Sequence, residues 1–85
     1  MTENDPTLVA AICALVPKVL RRELPAVTLQ TALLDDLAMS STTGLELMLE
    51  LEETLEIEIS VEELERADFA TVGSLAAYVA ANVLP

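Results

Sequence analysis

The amino-acid sequence predicts an all-α fold: a small four-helix bundle of three main helices and one short helix, with a long loop between the first and second. Three observations carry this. Apolar residues recur at helical spacing in three separate stretches. Capping residues and prolines fall at the edges of those stretches. Just over half of the residues (53%) are hydrophobic and Gly and Pro are few, which argues against a disordered acidic chain. The length, 85 residues, sets the expectation of a single domain over 1–85 with a limited core.

Taken in order, Asp5 is placed to cap a first helix and Pro6 suits its first position. The apolar run Leu8 to Val16 predicts that this helix is well buried. Pro17 falls inside the pattern and is expected to kink or divide it. Lys18, Arg21 and Arg22 lie where positive charge suits a helix C-terminus, and Pro25 confirms the stop. A loop of about residues 25–40 follows, long for such a chain, with Val27, Leu29, Leu33, Leu34 and Leu37 available to pin it and a turn of helix expected around Ala32 to Asp36. The second helix is expected from about Ser41 to Leu55, with Leu47, Leu51, Leu55 and Met48 as its core stripe. Glu46, Glu50 and Glu53 form a face away from that stripe. Leu45 and Leu49 lie on a third side, flanked by Glu52 and Glu56. Glu56 to Ile59 alternates as a short strand would, but with no partner strand visible it reads as a connecting loop with Ile57 and Ile59 turned inward. Ser60 and Glu63 have the spacing of a capping box, which predicts a short third helix over about Val61 to Ala67. Thr71 caps a last helix of about Val72 to Asn82, with Leu75, Ala76, Val79 and Val83 inward.

Fifteen acids, four bases and no histidine give a net charge of −11. Binding a nucleic-acid backbone needs clustered Lys and Arg, so neither nucleic acid nor an anionic membrane surface is expected as a partner, and basic protein surfaces are favoured. The lone Cys13 excludes an internal disulfide and reads as a small hydrophobe on the first helix. No histidine means that the commonest general base is missing. Asp35-Asp36 and Glu52-Glu53 are adjacent pairs that do not face each other on a helix and lack the alternation of a calcium loop, so no catalytic residue and no metal site is expected. Neither a signal peptide nor an apolar run long enough to span a bilayer is apparent, which makes a cytoplasmic monomer the expectation.

The stretch Asp36-Leu37-Ala38-Met39-Ser40-Ser41, the Glu-rich helix after it (Leu45-Glu46-Leu47-Met48-Leu49-Glu50-Leu51-Glu52-Glu53), Ile57-Glu58-Ile59 and Phe69-Ala70-Thr71-Val72 together resemble the acyl and peptidyl carrier protein family. The register holds from about Val27 to Tyr78. The resemblance implies the acyl-carrier type of bundle and a 4'-phosphopantetheine arm attached through Ser41. It also implies docking of partner enzymes through Leu45, Glu46, Leu49, Glu52 and Glu53. The implied partners are a phosphopantetheinyl transferase, a loading ligase, adenylating enzyme or acyltransferase, and a downstream acyl or aminoacyl acceptor enzyme. The match departs from the family at two places. Ser40 stands where Asp is usual, and Thr42 where an apolar residue is usual. Ser40 is a rival attachment site.

The residues make their own case. Ser41 lies at a helix mouth, where free N–H groups favour an anion. Thr42 and Thr43 add hydroxyls for a phosphate or the arm, and Gly44 permits close approach at a helix-propensity cost of about 1 kcal/mol. The plain alternative for Ser41 is an N-cap, worth about 1 kcal/mol; for the glutamates it is a solvated face, and for the leucines partial burial against the loop. A group carrier needs no base of its own, which agrees with the missing histidines. The Ser-Ser motif and the Leu47-Met48-Leu49 run resemble a divergent subgroup of stand-alone carriers, some of them aminoacyl carriers, and so a specialised aminoacyl or natural-product pathway. The alternative from a different class is an unmodified acidic helical adaptor that binds basic proteins.

Overall fold

The computed structural model describes residues 5–24 and 26–84; the stop read at Pro25 lies outside them. The described residues form three α-helices and one 3-10 turn: α1 (Pro6–Leu20), α2 (Ser41–Leu55), the 3-10 turn Arg66–Phe69, and α3 (Val72–Asn82). Among the described residues, β pairing is confined to two isolated bridges, Ala32 with Thr71 and Ile59 with Val83. No helix of the described residues is long and apolar enough to cross a membrane.

The start of α1 is set by Asp5, whose Oδ1 accepts the N–H groups of Thr7 (2.8 Å) and Leu8 (3.4 Å), with Pro6 at the position where an N–H has no partner anyway. Pro17 does not divide the helix, which runs on to Leu20. One ladder bond is lost there, but Leu8, Ile12, Leu15 and Val16 before it are buried, and Val19 and Leu20 after it pack partly buried against the core. Cys13 is half-buried and free, and burial raises its thiol pKa, so the sulfur stays protonated and poorly nucleophilic.

Against α1 pack α2 and α3. Leu47 and Leu51 of α2 and Val72, Leu75, Ala76 and Val79 of α3 are wholly buried, each large side chain contributing about 1.5–3 kcal/mol. Leu55, on the expected stripe, is only half-buried, because it ends the helix. On the surface Lys18 of α1 pairs with Glu50 of α2 at 3.0 Å.

The long loop is ordered by backbone bonds to α3. The N–H of Leu33 donates to the Ala70 carbonyl, and those of Val72 and Gly73 donate back to Thr31 and Leu29. A Cβ on Gly73 would lie 3.2 Å from the Leu29 oxygen, so glycine allows this close approach. Leu33 is fully buried, with Val27, Leu29, Leu34 and Leu37 packed around the core. A single turn closes by Asp36 N–H to the Ala32 carbonyl, and Arg22 donates to the Leu37 carbonyl.

The segment Glu56–Ile59 is the expected loop, with Ile59 buried and Ile57 packed against the core, and it is tied to the end of α3 and the chain beyond by Ser60 N–H to Asn82 and Leu84 N–H to Glu58. One expectation changes. The short helix expected over Val61–Ala67 is displaced and reduced to the 3-10 turn Arg66–Phe69. Ser60 is committed to α3, its N–H donating to the Asn82 carbonyl and its own carbonyl accepting the Tyr78 hydroxyl, so the chain makes only a turn at Val61–Leu64. The helical turn starts later, at Arg66–Phe69, where Asp68 accepts the Glu65 N–H at 2.8 Å. Its anchor is Phe69, only 7% exposed, and Ser74 Oγ fastens it by donating to the Asp68 carbonyl.

Candidate functional site

The three helix starts differ in how they treat their orphan N–H groups. In α1 they are taken by Asp5. In α3 Thr31 and Leu29 accept from Val72 and Gly73, and Thr71 Oγ1 accepts from Ser74 at 3.0 Å. In α2, Ser40 Oγ accepts the Thr43 N–H at 3.1 Å and the Ser40 carbonyl accepts that of Gly44. The N–H groups of Ser41 and Thr42 have no partner among the described residues, so α2 alone keeps donors free for an outside acceptor.

This geometry corrects the N-cap reading of Ser41. The cap is Ser40, in extended backbone, with its hydroxyl bonded to Thr43. Ser41 is the first helical residue, exposed, and among the described residues its hydroxyl is in no hydrogen bond. Thr42 is likewise exposed and uncommitted. The Thr43 hydroxyl is drawn into the cap by Ser40 at 3.0 Å. Gly44 has a different use from the one expected. It is buried, and a Cβ there would lie 2.9 Å from Cε1 and 3.0 Å from Cζ of Phe69. The missing side chain makes room for the Phe69 ring.

Ser40 and Ser41 stand on the rim of a cavity of about 170 Å³. Leu34, Leu45, Leu64 and Phe69 supply its apolar lining, and Glu65 and Arg66 its charged edge. Sequence reasoning singled out only Leu45 of these six for a functional role. The available signals were that Arg66 is the sole basic residue after Arg22 and Phe69 the sole phenylalanine. Along α2, Leu45 and Leu49 are 49% and 62% exposed, beside the exposed Glu46 and Glu53. Glu52 is turned back: its Oε2 accepts the Ile59 N–H at 2.9 Å.

An exposed hydroxyl thus stands on a helix start with two free donors, at the mouth of a largely apolar cavity. Residues 10–79 match the phosphopantetheine attachment site family, and the chain belongs to that family. Comparison with curated proteins and with solved structures returns no match. Family members are carriers without catalytic activity of their own and hold 4'-phosphopantetheine covalently on a serine. The residues here fit that group: the open donors of Ser41 and Thr42 suit a phosphodiester, and the cavity offers apolar surface beside it.

Proposed function

We propose that Ser41 is the attachment serine, and that the chain carries an acyl or aminoacyl group and presents it to partner enzymes in a specialised aminoacyl or natural-product pathway. The bound arm supplies the thiol on which cargo is held as a thioester. The observation that carries the assignment is a comparison among the four serines. Ser40 is committed to the cap, Ser74 is bonded within the start of α3, and Ser60 is half-buried with its backbone pinned. Ser41 alone joins exposure to an uncommitted hydroxyl.

The roles of this chain's residues follow. Ser40 fixes the first turn, Ser41 offers the oxygen, and the Ser41 and Thr42 N–H groups receive the phosphate. Leu45 and Leu49 form an apolar anchor, and Glu46, Glu53 and the outer edge of Glu52 form an acidic rim for basic enzyme surfaces. Co-expression with a broad-specificity phosphopantetheinyl transferase tests the assignment by intact mass. The wild type and Ser40→Ala gain the arm, and Ser41→Ala does not. A label that survives Ser41→Ala overturns the site, and an unlabelled wild type overturns the reading altogether.

A further inference from the structure

Resting on attachment at Ser41, we propose that Arg66 is a positioning residue for the arm, its guanidinium holding the phosphodiester at the rim of the cavity it shares with Ser41. Both residues line that cavity. In a chain of net charge −11 the other three cations, Lys18, Arg21 and Arg22, cluster at the C-terminal end of α1. Lys18 is paired with Glu50 and Arg22 is bonded to the Leu37 carbonyl. Arg66 makes no ion pair or side-chain hydrogen bond among the described residues, not even with Glu65, the acid in the same wall. Its backbone is fixed while its head is not: the 3-10 turn is tied by Asp68 to Glu65 and by Ser74 to Asp68, with Phe69 buried beneath. A planar fork of donors suits phosphate oxygens, singly or in pairs. An anionic group at the far end of a flexible arm would also be attracted. The diester, bonded to the Ser41 oxygen, is always near by and wins on effective concentration.

The test uses the full chain carrying its arm, as wild type, Arg66→Gln and Arg66→Lys. Intact mass first establishes equal occupancy, which separates this question from the choice of serine; an unmodified wild type would sink both. The phosphorus NMR resonance of the diester then reads the contact. It is expected to differ between wild type and Arg66→Gln, with Arg66→Lys between them. Raising ionic strength from about 0.01 M to 1 M shortens the screening length from about 30 Å to 3 Å. The wild-type resonance should then converge on that of Arg66→Gln, which itself moves little. Identical resonances and salt responses in wild type and Arg66→Gln overturn the proposal. So does a dependence on Arg66 that emerges only once a cargo with a terminal carboxylate, such as succinyl, is loaded, since Arg66 would then serve the cargo instead. Melting of the three unmodified proteins is expected to coincide, and a large loss in Arg66→Gln would make the residue structural.

Discussion

Replacing Gly44 by alanine sets two effects of known sign against each other. Glycine inside a helix costs about 1 kcal/mol relative to alanine, so at an open position the change would stabilise by that amount. Gly44 is not open. The added Cβ would meet Phe69 at 2.9, 3.0 and 3.4 Å, which requires the ring to retreat by several tenths of an ångström. The ring is only 7% exposed, and overpacking of this kind costs about 1–3 kcal/mol. The net expectation is a loss of about 1 kcal/mol, with the ring displaced toward the cavity it lines. For a small domain with a urea m-value of about 1–2 kcal/mol per M, the midpoint should fall by roughly 0.5–1 M. Phe69→Leu removes the two nearest atoms, so in that background Gly44→Ala should stabilise by up to about 1 kcal/mol. The coupling between the two sites is the measured quantity. A rise in midpoint for Gly44→Ala alone, or the same shift in both backgrounds, would refute the claim that Gly44 exists to admit the ring.

Ser40→Ala should cost about 1 kcal/mol of stability in urea through loss of the cap, while intact mass shows the arm still on Ser41. Tyr78→Phe should cost about 1 kcal/mol by leaving the Ser60 carbonyl without its donor. Burial, and then Asp68 and Glu63, raise the Tyr78 phenol above its usual value near 10. Above that pH the unfolded chain therefore gives up the proton first. The stabilising contribution is fully present below about pH 10 and lost as pH climbs through the raised folded value, and thermal melts of Tyr78→Phe should lack this alkaline loss. Glu52→Ala should destabilise by about 1–3 kcal/mol, since the part-buried Ile59 N–H loses its acceptor, whereas Glu53→Ala should leave the melt unchanged. Docking is therefore best tested by Glu46→Lys with Glu53→Lys, which should slow loading by the partner enzyme and flatten its salt dependence; unchanged loading kinetics would leave that face a solvated surface.

The helices were legible because their signals are local. Asp5 with Pro6 and Thr71 with Ser74 are caps within a few residues of the apolar stripes they begin, and α2 and α3 have the bounds the stripes predict. What escaped the sequence is what depends on distant partners. The Ser60–Glu63 capping box is sound in spacing, yet Ser60 is claimed by Tyr78 and Asn82, 18 and 22 residues on. Glu56–Ile59 is the loop its inward isoleucines predict, but its isolated bridge to Val83 depends on a segment that follows a helix and shows no pattern of its own. Pro17 has a local cost of one ladder bond, which the buried stripe before it and the partly buried Val19 and Leu20 after it outweigh.

The same division runs through the attachment site. The resemblance to carrier proteins points to the Ser40-Ser41 step, but not to which serine caps the helix. An Asp at position 40, the usual residue, would cap as well as serine does and would add a negative charge beside Ser41. Ser40 keeps the hydrogen bond to the Thr43 N–H and drops the charge. The helix start is thereby left with free donors at Ser41 and Thr42. On the proposed attachment at Ser41, the departure from the family pattern costs the fold little and leaves no adjacent anion to repel a phosphodiester, while offering one negative charge fewer to a basic transferase surface. Two adjacent serines divide the work, one holding the helix and the other left open. Arg66, remote in sequence and brought to the same cavity only by the displaced 3-10 turn, extends that receptive surface in a way no local pattern could reveal.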